Sequence, residues 1–165
     1  MTTAARGPAM ACALAALAAC GGMPSPPPPR QAVATSAAAG GEELALGELR
    51  PRELARGRCG LFLWTRAAPP TFVFFADAET GAAAIVIDGR ERSLRRLSVG
   101  APVAGGRPGA QTFSTESGDV SLRLTVQQTE PVEGGYRVAA ASLRITKVDG
   151  WSGVVATAGL AACQP

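Results

Sequence analysis

An alternation of apolar and polar residues with a period of two is the clearest pattern in this chain. In residues 120–126 a valine or leucine occupies every second position, and serine, arginine and threonine lie between them. Successive side chains of a β-strand point to opposite faces, so this pattern predicts a half-buried strand. The side chains expected to face inward are Val120, Leu122, Leu124 and Val126.

Five further runs are rich in aromatic or β-branched residues, and 92–99 and 111–115 are two shorter candidates. Turn sequences that contain Gly, Pro or Asp separate them. Together the runs and the shorter candidates cover residues 59–65, 71–76, 83–88, 92–99, 111–115, 136–148 and 153–163. No long helical period accompanies them. About eight short strands at hairpin spacing predict an all-β fold, a small antiparallel β-barrel or sandwich.

Two of these runs give finer expectations. Asp88-Gly89 lies between two strands and predicts a hairpin turn. In residues 136–148 the inward positions shift phase, which predicts a β-bulge or a break near Ala141. Gly-rich residues 105–109 are expected to form a flexible loop.

The start of the domain and its aromatic residues are less clear. Residues 42–58 contain four leucines in a charged setting, and both a short helix and an irregular arm packed on the barrel remain open. Phe74 and Phe75 are adjacent in a strand, so they are expected on opposite faces. Most aromatic side chains are expected in the core rather than on a ligand surface: Trp64, Phe72, Phe74, Phe75, Tyr136 and Trp151.

The N-terminal residues have the pattern of an export signal. Residues 1–8 carry one arginine, and residues 9–19 are uncharged, small and apolar. A membrane-spanning helix needs about 20 apolar residues, so this stretch has the size of a signal-peptide core instead. An ordinary secretory signal cut at an Ala-x-Ala site would also fit.

The end of that stretch, Leu17-Ala18-Ala19-Cys20, resembles the lipobox of bacterial lipoproteins. The resemblance implies that Cys20 is lipidated with acyl chains such as palmitate and becomes the N-terminus after cleavage. It also implies an outer-membrane address, because Gly21 stands where Asp retains such proteins at the inner membrane. Residues 1–19 are therefore expected to form a lipoprotein signal peptide in the bacterial cell envelope.

A spacer is expected between the lipid and the domain. Residues 20–41 are rich in Pro, Ala and Gly, and their four consecutive prolines favour polyproline II. Such a composition buries too little apolar surface to fold, so it predicts a disordered tether. Residues 42–165 then form the β-rich domain.

Two cysteines remain once the signal peptide and the lipid account for Cys12 and Cys20. Cys59 and Cys163 lie at the two ends of the domain, and in an oxidising compartment two such cysteines usually pair. We expect a disulfide between them; two buried thiols are the alternative.

Candidate catalytic residues are few. The chain contains no histidine, which excludes Ser-His-Asp and Cys-His catalysis and His-containing metal sites. A carboxylate pair could be drawn from Asp77, Glu79, Asp88 and Glu91, yet acidic residues are common in turns. A Ser-Lys dyad using Lys147 is no better supported. We expect no enzyme, no catalytic or metal-binding residue and no cofactor.

Charge indicates what the domain could bind. The formal net charge of +3 is too small to predict nucleic-acid binding. Two arginine clusters could meet anionic lipid headgroups, lipopolysaccharide or peptidoglycan carboxylates, or could serve only as solubilising charge. They are Arg50, Arg52, Arg56 and Arg58, and Arg90, Arg92, Arg95 and Arg96.

The layout of the domain resembles the membrane-bound inhibitors of c-type lysozyme. The residues that carry the resemblance are Cys59, the run 84–89 followed by Leu94, and Cys163. The resemblance implies a small β-barrel lipoprotein tied by a disulfide. The inhibitory Ser-Gly-x-x-Tyr motif of that family is missing, because Ser117-Gly118 is followed by Asp-Val-Ser.

These observations predict a non-enzymatic envelope lipoprotein that acts as a periplasmic binding or interaction module. Its expected partners are the membrane, through the N-terminal lipid, and an envelope protein, peptidoglycan or lipopolysaccharide. An inhibitor of a lysozyme-like hydrolase is the alternative function.

Overall fold

The computed structural model describes residues 46–103 and 107–165. The predicted signal peptide (1–19), the lipidated Cys20 and the tether (20–41) lie outside the described residues, as do the first residues of the domain. The described part of the chain holds no helix long and apolar enough to cross a membrane.

The described residues form an all-β structure, as predicted. Eleven strands occur in it. They are β1 (Leu46–Gly47), β2 (Cys59–Thr65), β3 (Phe72–Asp77), β4 (Ala82–Ile87), β5 (Arg90–Val99), β6 (Pro102–Val103), β7 (Arg107–Pro108), β8 (Ala110–Ser114), β9 (Val120–Val132), β10 (Gly135–Lys147) and β11 (Ser152–Cys163).

Eight of these strands close into an antiparallel barrel. Each pairs with its neighbours along the chain in the order β2, β3, β4, β5, β8, β9, β10 and β11, and β11 returns to pair with β2. Strands β6 and β7 form a separate two-stranded ribbon between β5 and β8. This is an up-and-down barrel, which leaves no unpaired edge in the ring.

The interior is filled by the apolar positions of the alternating strands. Val120, Leu122, Leu124 and Val126 are all buried, which confirms the inward face predicted for β9. Phe74 and Phe113 meet inside at a ring-centroid distance of 5.4 Å in an edge-on contact. An eight-stranded barrel is just wide enough for side chains to fill its interior, and here they do so over most of its length.

Two bulges adjust which side chains point inward. The pairing of β10 shifts between Val138 and Ala141, as its change of phase predicts, and both residues are buried. A second shift between β2 and β3 was not expected from the sequence. There Val73 and Phe74, neighbours in the chain, both belong to the interior cluster.

The hairpin predicted at Asp88-Gly89 is present between β4 and β5. Both residues have positive φ, 52° for Asp88 and 71° for Gly89. Two positive φ values are typical of the type I′ turn, whose twist suits the flanking strands.

The described part of the segment before β2 holds no helix: it begins with β1, which pairs with β4 and packs Leu46 against the interior cluster. The residues between β1 and β2 form an irregular arm on the outside of the barrel, the second of the two alternatives left open. Its backbone is anchored by the Leu49 amide, which donates to the Phe72 carbonyl at 2.8 Å. Leu49 is 1% exposed and packs in a second apolar cluster with Phe72 and Ala84. Partly buried Phe62, Trp64, Phe75 and Val86 complete that cluster, so half of the aromatic residues expected in the core lie on the outer face.

The Cys59–Cys163 disulfide predicted from the sequence is formed. The two cysteines lie opposite each other in the register of β2 and β11. The bond therefore joins the first and last strands of the ring across the seam that closes it. The loop expected at residues 105–109 is partly paired instead, because Arg107–Pro108 forms β7 with β6.

Candidate ligand-binding site

The two ends of the barrel differ. One end contains the disulfide, the start of β2 and β10, and the end of β3 and β11; we call it the mouth. The other end contains the Asp88-Gly89 turn and the connections from β8 to β9 and from β10 to β11; we call it the closed end.

The closed end is filled by an aromatic ring and bordered by ion pairs. Trp151 packs against the interior cluster, and a methyl group added to Gly153 would lie 2.5 Å from its ring. The Lys147 Nζ atom lies 5.4 Å from the centroid of that ring and 2.5 Å from Asp88 Oδ2. Trp151 and the Lys147–Asp88 ion pair therefore lie over the interior cluster at this end.

Asp119 organises the β8–β9 connection beside the closed end. Its carboxylate accepts hydrogen bonds from the hydroxyls of Ser117 at 2.5 Å and Thr115 at 2.6 Å, and it pairs with Arg92 at 2.7 Å. These hydrogen bonds, chiefly that of Ser117, lower the pKa of Asp119 to about 2. Arg92, one of the arginines predicted to meet an anionic ligand, therefore has a carboxylate partner within the protein.

The mouth contains a cavity of about 340 Å³. This volume lies at the lower end of the range found for small-molecule sites, roughly 300–1,000 Å³. Apolar side chains and backbone atoms form most of its lining, and few polar side chains reach it. The lining residues are Cys59, Gly60, Leu61, Ala76, Asp77, Ala78, Arg96, Pro108, Gln111, Gly135, Tyr136, Ala161, Ala162 and Cys163.

Strand register explains why these side chains meet. Leu61 lies opposite Ala161, and Ala161 lies opposite Tyr136, so the three share the inner face of neighbouring strands. Arg96 lies opposite Phe113, whose ring is fully buried inside the barrel. Arg96 is therefore an inward position of β5 at the level where the interior opens.

The Arg96 guanidinium is held at the edge of the cavity by two contacts. Its Nη2 donates to the Ala78 carbonyl at 3.0 Å, and its Nη1 makes a longer hydrogen bond of 3.4 Å to Gln111 Oε1. Gly81 packs against the Arg96 side chain, since a methyl group at Gly81 would lie 3.0 Å from Arg96 Cβ. A guanidinium has five N–H donors, so within the described residues most of its donors remain for a ligand.

Asp77 also lines the cavity, but its carboxylate is already hydrogen-bonded within the protein. Its carboxylate accepts from the Arg58 guanidinium at 2.7 Å and from the backbone amides of Glu79 at 3.0 Å and Thr80 at 2.8 Å. Burial works against its ionisation, yet these hydrogen bonds prevail and lower the pKa of Asp77 to about 2. The hydrogen bond that Arg58 donates to this carboxylate raises the pKa of Arg58.

The structure separates the arginines of the predicted second cluster. Arg90 and Arg92 are on the part of β5 near the closed end, Arg96 reaches the mouth, and Arg95 points outward and is exposed. The four arginines of the second cluster therefore do not share one face of β5. In the first cluster, Arg52 pairs with Glu91, and Arg58 pairs with Asp77 and Glu79.

The carboxylates considered for catalysis are each engaged in an ion pair. Asp77 and Glu79 share Arg58, Asp88 pairs with Lys147, and Glu91 pairs with Arg52. No group of three or more Cys, Asp or Glu side chains that could hold a metal ion occurs within residues 46–103 and 107–165.

Two mouth residues were not identified from the sequence. Tyr136 was expected in the core, and it lines the mouth because β10 continues beyond its bulge. Gln111 was assigned no role, although it is only 9% exposed. A polar residue at an inward position of an alternating strand is the signal that could have revealed it.

Among the other depressions on the surface of the described residues, two border aromatic side chains. One, of about 470 Å³, runs between the arm and β11 beside Leu54 and Phe62. The other, of about 550 Å³, borders Trp64 and the β2–β3 connection. Both are wide and shallow, and neither brings an inward-facing polar side chain to an apolar wall.

Fold and site together define a small up-and-down β-barrel that is closed by a disulfide and open at one end. Comparison of the chain with protein-family models, with curated proteins and with solved structures gives no match.

Proposed function

We propose that this chain is a non-enzymatic, lipid-anchored binding module of the bacterial cell envelope, and that its barrel takes up a small ligand through the mouth. The observation that carries this proposal is the cavity of about 340 Å³ at one end of a barrel whose interior is otherwise filled. Pockets with apolar walls and a few converging polar groups are the usual form of small-molecule sites.

The described residues favour binding over catalysis. Both cysteines of the domain are joined in a disulfide, so neither offers a thiolate. The carboxylates that could act as acid or base are each held by an arginine or lysine, and two of them share one arginine. The mouth itself presents donors and apolar groups rather than a nucleophile next to a base.

The test uses a probe that carries no charge. We expect 1-octanol to shift the NMR signals of Leu61, Tyr136 and Ala161 in the ¹⁵N-labelled domain, because these residues form the apolar wall. Ala161→Trp places a large ring in the cavity and should abolish the shifts. Ala156→Trp, on the outer face of the same strand, is the matched control and should leave them intact. Shifts spread over the outer surface, or retained in Ala161→Trp, would contradict the proposal.

The lipid anchor is supported by the sequence Leu17-Ala18-Ala19-Cys20 after a short apolar stretch. Acyl chains contribute about 0.8 kcal/mol per buried CH₂, so several chains hold a protein firmly on a bilayer. Expressed in a bacterium, the chain should sediment with outer membranes and gain the mass of acyl groups on Cys20. Cys20→Ala should prevent both. An unacylated mature chain with Cys20 intact would refute the anchor and would leave the barrel site unaffected.

A further inference from the structure

The side-chain groups that the mouth offers to a ligand are mainly hydrogen-bond donors. Arg96 can only donate, and most of its N–H groups are not used within the described residues. Gln111 uses its oxygen to accept from Arg96, which leaves its amide N–H groups for the cavity. A donor-only guanidinium next to an amide fits a planar group with two acceptor oxygens.

Asp77 is the carboxylate that lines the cavity, and it does not remove the preference of the mouth for a ligand with acceptor oxygens. It accepts three hydrogen bonds from within the protein, one of them from Arg58 at 2.7 Å. No carboxylate of the described residues lies within ion-pair distance of Arg96, which contrasts with Arg52, Arg58 and Arg92. Arg96 is thus the inward-facing arginine of the mouth without an internal counter-ion.

The opposite wall of the cavity is apolar. Leu61, Ala161 and the ring of Tyr136 come from three consecutive strands of the ring and face the same space. At roughly 30 Å³ for each water-sized group, a cavity of about 340 Å³ holds about ten such groups. The wall therefore suits a short hydrocarbon chain or a single aromatic ring.

We propose that the ligand is an amphipathic monocarboxylate of about ten non-hydrogen atoms. Its carboxylate accepts from Arg96 and Gln111, and its apolar part lies along Leu61, Tyr136 and Ala161. This inference rests on the proposed function, because it names the ligand class of the same site.

The experiment compares three probes with the same hydrocarbon chain and different heads: octanoate, 1-octanol and octylamine. Dissociation constants are measured by NMR titration of the intact domain at neutral pH. We expect octanoate to bind about tenfold more tightly than 1-octanol, since a hydrogen bond to a charged group is worth more than a neutral one. Octylamine should bind most weakly.

Two neighbouring arginines provide the matched variants. Arg96→Gln should reduce the preference for octanoate over 1-octanol to about onefold, whereas Arg95→Gln should preserve it, because Arg95 points away from the barrel. Arg96→Lys keeps the charge and loses the paired donors, so an intermediate preference is expected. The comparison of probes in the unaltered protein decides the question even where a variant folds poorly.

Each outcome bears on a separate statement. If 1-octanol binds at the mouth and octanoate binds no more tightly, or octylamine binds best, the ligand class is wrong and the binding site stands. If Arg95→Gln lowers the preference as much as Arg96→Gln, general surface charge is responsible and the inference fails. If no probe perturbs the mouth, the proposed function fails with it.

Discussion

At the scale of single residues, the position of a side chain in its strand determines what its charge does. Arg95 and Arg96 are adjacent in the chain, yet Arg96 faces the cavity and Arg95 faces solvent. Arg92 lies four residues earlier on the inward face, about 13 Å along the strand, where it meets Asp119. Three arginines within five residues thus have three different surroundings.

The period-two alternation of a strand could have assigned Arg95 and Arg96 to opposite faces, because it did so for Phe74 and Phe75. Two facts lay beyond the sequence. The partners of Arg92 and Arg96 come from distant parts of the chain, 27 residues away for Arg92 and Asp119. The level at which the packed interior gives way to the cavity depends on strand stagger around the ring, which side-chain patterns do not encode.

The carboxylate of Asp77 makes a prediction about acid stability. Its pKa is about 2 in the folded protein against 3.8 for an isolated carboxyl group. A lowered pKa stabilises the fold above pH 3.8, and this contribution is lost as the pH falls toward 2. Asp77→Asn should reduce the free energy of unfolding at pH 7 by on the order of 1–2 kcal/mol, and the difference from the unaltered protein should shrink near pH 2.

Urea denaturation at pH 7 and near pH 2 measures this difference. Glu133→Gln, an exposed change in the β9–β10 turn, is the control and should stay within about 0.5 kcal/mol at pH 7. An equal loss for Asp77→Asn at both pH values would show that the ionised carboxylate is not the stabilising group.

At the scale of strands and turns, local chemistry decided much of the fold in advance. The alternation in β9, the bulge in β10 and the Asp88-Gly89 turn each follow from residues close together in the chain. The bulge between β2 and β3 and the packing of Leu49 on Phe72 do not. Both depend on contacts between elements, so the sequence left the arm open between helix and irregular chain.

The Asp88-Gly89 turn can be tested by substitution. Gly89 has a φ of 71°, a conformation that costs an L-residue with a Cβ roughly 1–2 kcal/mol. Gly89→Ala should therefore lower the free energy of unfolding by about 1 kcal/mol, as measured in urea. Gly89→Asn is the comparison, because asparagine tolerates this region and should cost less. An alanine variant as stable as the asparagine variant would contradict the assigned turn.

At the scale of the whole molecule, one covalent bond holds the ring closed. The disulfide spans 104 residues between Cys59 and Cys163. In the chain-entropy account, a link closing a loop of this length restricts the unfolded chain and stabilises the fold by about 4–5 kcal/mol, an upper figure. For a domain with the usual 5–15 kcal/mol of stability this is a large fraction.

Removal of this bond should weaken the domain strongly. The double variant Cys59→Ala/Cys163→Ala should unfold at a lower urea concentration, with a loss of about 2–5 kcal/mol. A reducing agent should have the same effect on the unaltered protein and none on the double variant, which serves as the control. If reduction leaves the unfolding midpoint unchanged, the bond contributes little to closing the ring.

Trp151 and the ion pair over the closed end have a consequence for how the proposed ligand would bind. In the proposed binding function, a ligand would enter and leave through the mouth, so a bound ligand would have to dissociate before another could bind. Each molecule would then bind one ligand at a time, and two different ligands would compete for the site. The rate of ligand dissociation through the mouth would then set how fast one ligand can replace another.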